Sequence, residues 1–161
     1  MLRSLLALSL AILPATALPA GGWTFGGRAG ATLQNGKFVP SVAATADYQL
    51  SDIFSWRTDF DVRIPDANDM SRINFQVPTN LVLHPLSGRK TFDPYAGPGL
   101  TLSSSSTGDL LFGLNAVGGF LIHPARQQAF GVEGRWSWPD PIHTARGQLS
   151  IALVGRWETK F

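Results

Sequence analysis

The chain has 161 residues, with 13 basic and 11 acidic side chains, 17 glycines, 11 prolines and no cysteine. The missing cysteine excludes a disulfide framework and thiol chemistry. Lysine occurs only at 37, 90 and 160, and no basic run exists, so a nucleic-acid partner is excluded too.

Residues 1–20 read as a secretory signal. Arg3 is a short positive n-region, Leu5 to Leu13 an apolar core broken by Pro14, and Ala15-Thr16-Ala17 a small-residue cleavage pattern. Cleavage is expected after Ala17 or after Ala20, which leaves residues 21–161 as a single domain. No later apolar run approaches the length of a membrane helix. The abundance of Gly and Pro, with few helix signals, favours an all-β chain.

Eight alternating stretches follow, at about 22–33, 38–50, 53–63, 72–83, 91–102, 109–122, 129–138 and 147–161. The connections between them are rich in Gly, Pro, Asn, Asp and Ser, the residues that turns require. Gln34-Asn35-Gly36-Lys37 and Ser51-Asp52 are the shortest. Each stretch is long enough to cross a bilayer as a tilted strand.

A period of two assigns the faces. In the first stretch Trp23, Phe25, Ala29 and Leu33 oppose Thr24, Arg28 and Thr32. In the third, Phe54, Trp56, Phe60 and Val62 oppose Ser55, Arg57, Asp59, Asp61 and Arg63. In the fourth, Phe75, Val77, Leu81 and Leu83 oppose Arg72, Asn74, Gln76 and Asn80. In the seventh, Phe130, Val132, Trp136 and Trp138 oppose Glu133, Arg135 and Ser137. The sixth is the weakest, because Leu111, Val117 and Leu121 fall on its polar face.

Two eight-stranded barrels fit such a pattern: a soluble one, apolar inside, and a membrane one, apolar outside. A wet sheet face would carry many Lys and Glu. The strand charges here are Arg28, Arg57, Arg63, Arg72, Arg135 and Arg156 against Asp47, Asp59, Asp61, Asp93, Glu133 and Glu158. Arginine suits buried pairs with carboxylates because its planar fork is weakly hydrated. The balance predicts an interior charge network, hence an eight-stranded antiparallel up-and-down transmembrane barrel. An even strand number places both ends on the periplasmic side. Aromatics such as Trp23, Tyr48, Phe54, Phe92 and Trp157 then mark one interface, and Phe38, Phe75, Phe112, Trp136 and Trp138 the other.

The final stretch runs Leu149, Ile151, Leu153, Gly155, Trp157, Thr159, Phe161 on one face. It resembles the terminal strand of bacterial outer-membrane β-barrels, which implies that Trp157 and Phe161 serve as an assembly signal read by the barrel assembly machinery. Gly155 and Thr159 depart from the pattern, where a larger apolar residue is usual. Asp93-Pro94-Tyr95-Ala96-Gly97-Pro98-Gly99-Leu100 is similar to a Pro-Tyr-Val-Gly-Ala-Gly-type strand of the small OmpA/OmpX-like barrels, Pro98 being the departure. The resemblance implies a bacterial outer-membrane location, with lipid and lipopolysaccharide as surroundings.

Chemistry is harder to read. Some barrels of this class are lipid A deacylases or palmitoyl transferases, and the deacylase pattern places a His two residues before a Ser. The chain offers His143-Thr144-Ala145 instead. His84 and His123 each precede a proline, where a turn role is expected, and the carboxylates Asp59 and Asp61 are flanked by Arg57 and Arg63 as structural ion pairs would be. No cofactor or metal is expected. The expected protein is therefore a monomeric barrel of structural or interaction type without a wide pore, with a lipid A-modifying enzyme as the alternative. Pro78, Pro94 and Pro98 predict that pairing of the fourth and fifth strands is interrupted or bulged, or opened laterally.

Overall fold

A computed structural model describes residues 22–65, 73–86, 91–104, 110–125, 127–139, 141 and 147–159, with backbone alone at 158 and 159. The leader segment 1–20, Arg72, His143-Thr144 and Phe161 lie outside the described residues.

Eight strands form: β1 (Trp23–Gln34), β2 (Lys37–Gln49), β3 (Phe54–Arg63), β4 (Asn74–Leu83), β5 (Phe92–Ser104), β6 (Leu110–Ala125), β7 (Gln128–Trp138) and β8 (Gln148–Thr159). Each pairs antiparallel with its neighbours in sequence, and β8 returns to β1, so the sheet closes into a barrel. Closure leaves no edge strand with unpaired backbone groups, the condition for a sheet to exist in lipid. The β1–β2 connection is a two-residue hairpin in which Asn35 and Gly36 both take positive φ, 52° and 76°. That left-handed pair suits the twist of the flanking strands, and Asn-Gly adopts it readily. At β2–β3 the Ser51 hydroxyl accepts the Phe54 N–H at 3.1 Å, which tightens the turn.

The faces are inverted relative to a water-soluble protein. Arg57 and Asp61 are 0% exposed, whereas Phe38 is 76% and Leu153 69% exposed. So continuous an apolar exterior would aggregate in water and is at home against lipid chains. The soluble-barrel alternative, apolar inside, is thereby excluded.

Three features need more than sequence parity to explain. Val117 and Leu121 of β6 do point inward, where they form an apolar cluster with Val82, Tyr95, Ala129 and Val154. Tyr48 is expected to face lipid, but it is buried beneath the Trp23 ring, 4.9 Å away. Gly155, small for a lipid-facing strand, is covered by its neighbours. A Cβ there would stand 3.3 Å from the Trp157 ring and 3.7 Å from Phe130, its cross-strand partner.

The prolines interrupt pairing without moving the register. The β3–β4 ladder runs from Phe54↔Leu83 to Thr58↔Thr79, skips Asp59 and Phe60 beside Pro78, and resumes in step at Asp61↔Gln76. The β4–β5 ladder skips Leu81 and Val82 beside Gly97 and Pro98, then continues in step at Leu83↔Ala96. A missing N–H removes a ladder bond on one side of a strand. Neither gap is a bulge, since the register is the same on both sides of each. Outside this wall Phe54, Leu81, Leu83, Ala96 and Pro98 line a shallow apolar groove of about 460 Å³. The register shift of the barrel lies elsewhere, between Ile122 and Ala125 of β6 against β7.

Candidate functional site

The lumen is filled by charge. Glu133 on β7 accepts hydrogen bonds from Arg28 Nη1 at 2.9 Å, Arg57 Nη1 at 2.6 Å, Arg135 Nη2 at 3.3 Å and the Tyr95 hydroxyl at 2.8 Å. Arg28 bridges onward to Asp61 at 2.8 Å, and Arg57 Nε to Asp47 at 2.9 Å. Asp47 also meets Arg156 at 3.2 Å, and Asp59 is paired with Arg135. Arg63 lies 3.7 Å from Asp61 and donates to the Gln148 side chain. Tyr95 stands between two guanidiniums, Arg57 at 4.6 Å and Arg156 at 4.9 Å from its ring centre. The ring faces attract cations while the hydroxyl satisfies Glu133, so one side chain joins both signs of the network.

The structure thus brings together nine of the twelve strand charges expected inside: Arg28, Asp47, Arg57, Asp59, Asp61, Arg63, Glu133, Arg135 and Arg156. Glu158 sits on β8 opposite Thr24, and its side chain is outside the described residues. Asp59 and Asp61 pair mainly across the barrel rather than with Arg57 and Arg63 along their own strand. Of those flanking pairs only Arg63–Asp61 is made, and it is long. Trp157 is half exposed on the lipid face opposite Phe25, and Phe161 lies outside the described residues.

Sequence reading missed the neutral polar partners. Asn115 Nδ2 donates to the Leu100 carbonyl and to Thr101 Oγ1, each at 2.9 Å, and Thr32 meets Ser150 at 2.8 Å. It also misassigned Asp93, which takes no part in the central network. Asp93 sits at the mouth where both chain ends of the barrel lie, and it binds His84 Nδ1 at 2.9 Å. The other ring nitrogen, Nε2, lies 3.1 Å from Ser55 Oγ. His84 belongs to the wall rather than to a loose turn. Its N–H donates to the Ile53 carbonyl at 2.8 Å, one step past the Phe54↔Leu83 pair. That extra rung carries the inward parity of Asn80 and Val82 on to His84. The contacts are diagonal across β3, β4 and β5, so register, which single-strand parity does not give, was needed to find them.

Neither family models nor curated proteins give a match to this chain. Solved structures do. Neisserial surface protein A superposes with a TM-score of 0.68 at 13% identity, over 87% of this chain and 98% of that one. The N-terminal β-barrel domain of Pseudomonas aeruginosa OprF gives 0.65 at 11% identity, over 87% and 100%. The outer membrane enzyme PagL gives 0.54 at 12% identity, over 83% and 98%. Identities this low establish the fold and leave activity open. With its lipid-compatible exterior and charged lumen, the chain is an eight-stranded transmembrane β-barrel of the outer-membrane type.

Proposed function

We propose that the protein is a small monomeric barrel of the bacterial outer membrane, structural or interaction-type, whose lumen is plugged by its own side chains. The observation that carries this reading is the four-way coordination of Glu133, which ties β1, β3, β5 and β7 together across the lumen. Eight strands enclose an interior that side chains just fill, and here they fill it with crossed ion pairs. Lipid and lipopolysaccharide would surround it, and the barrel assembly machinery would insert it through the Trp157–Phe161 end. Vesicles containing the purified barrel are expected to stay impermeable to small sugars. Swelling at the rate of porin-containing vesicles would contradict the plugged lumen.

A lipid A-modifying enzyme on the same architecture is the competing reading. The likeness to an outer-membrane enzyme lends it the fold and nothing further. Lipid A mass spectra from cells with and without the protein separate the two, since the structural reading expects identical spectra.

A further inference from the structure

We propose that Ser55, His84 and Asp93 form a nucleophilic relay at the mouth of the barrel, able to cleave a carboxylic ester that enters from the periplasmic side. The three are joined in the order such chemistry requires. Asp93 holds His84 Nδ1, at 2.9 Å from Oδ2 and 3.1 Å from Oδ1, which leaves Nε2 to take the proton of Ser55 Oγ at 3.1 Å. Each member comes from a different wall strand or its end, and the His84 N–H bond to Ile53 keeps the ring in place from behind. The Tyr95 ring packs 5.9 Å from the imidazole and restricts it further. The His84 and Asp93 side chains are 14% and 17% exposed and open on the mouth, while Ser55, at 6%, is buried beside them.

In the reaction Ser55 Oγ bonds to the carbonyl carbon as its proton passes to His84 Nε2. The ester C–O bond then breaks, and the departing alkoxide takes that proton and leaves as an alcohol. Water next attacks the acyl-Ser55 ester and gives its proton to His84. Ser55 recovers a proton from His84 as the carboxylic acid departs. The sum is ester plus water giving acid plus alcohol, with no oxidant or cofactor required.

The test uses the purified barrel folded in detergent micelles, with a fluorophosphonate probe for activated serine and p-nitrophenyl butyrate as ester. Wild type is expected to label at one site and to hydrolyse the ester. Ser55→Ala should abolish both, while His84→Gln and the isosteric Asp93→Asn should slow both by at least about tenfold. Heat-modifiable gel mobility and far-UV circular dichroism identify the folded variants. If Ser55→Ala folds poorly, Asp93→Asn decides alone, because a purely structural clasp would shift stability and leave labelling at the wild-type rate. Labelling of folded wild type no faster than that of folded Ser55→Ala, or unchanged by Asp93→Asn, would overturn the relay. The plugged-lumen reading is judged separately by the vesicle experiment.

Discussion

The two halves of the barrel wall are built from different chemistry. All nine charges of the central network come from β1, β2, β3, β7 and β8. Strands β4, β5 and β6 present Gln76, Asn80, Tyr95, Thr101, Asn115 and Leu121 to the lumen, with glycine at 97, 99 and 119. A Cβ at Gly119 would come within 3.0 Å of the Tyr95 hydroxyl that binds Glu133. The pairing gaps beside Pro78 and Pro98 also lie on β4, in the neutral half or at its border. By contrast β8 pairs with β1 at every residue from Trp23 to Leu33. One half supplies long cross-linked side chains, and the other supplies the space they need. The lesson is that a filled lumen is a property of both walls, and a charge count along single strands describes only one of them.

The largest expected effect is in the charged half. Glu133→Ala takes one of two carboxylate partners from three buried guanidiniums and the acceptor from the Tyr95 hydroxyl, so urea unfolding in micelles should show a loss of about 3–5 kcal/mol. A loss no greater than that of a surface substitution would mean water replaces Glu133 freely. In the neutral half, Asn115→Ala removes one acceptor and two donor bonds and should cost about 1–3 kcal/mol. An equal cost at the two sites would erase the contrast between the halves.

Hydrogen exchange sharpens the comparison at the backbone. Amides at Leu81, Val82 and Gly97 should exchange about tenfold faster than those of Gly131 to Arg135. Uniform protection would show that the proline gaps are bridged by other acceptors. Lys37→Ala, in the Asn-Gly hairpin, should change stability by less than about 0.5 kcal/mol. A larger shift would place a charge interaction in a turn where none is seen.

Much of this was legible in the sequence, for a definite reason. A strand has only two faces, so the alternation of Phe54, Trp56 and Phe60 with Ser55, Arg57 and Asp59 assigns lumen and lipid without knowledge of neighbours. The eight strands, the inward set of charges and the outward aromatics follow from that period. The partners do not follow, because they depend on the stagger between strands when the sheet closes. Arg57 meets Glu133, which lies four strands away, and the Ser55–His84–Asp93 contacts run diagonally over three. His84 looked like a turn residue because Pro85 follows it. Only the extra rung to Ile53 reveals that the strand's parity continues through it. The signal segment and the Phe161 assembly role stay expectations of the sequence.

The central claim is that the barrel is apolar outside and polar inside. Nitroxide labels placed singly at 149 to 154 along β8, in vesicles, test it through collision with dissolved oxygen, which partitions into lipid. Leu149, Ile151 and Leu153 are exposed and Ser150, Ala152 and Val154 buried, so odd positions should show high oxygen accessibility and even positions low. A reversed or flat profile across those six sites would contradict the account.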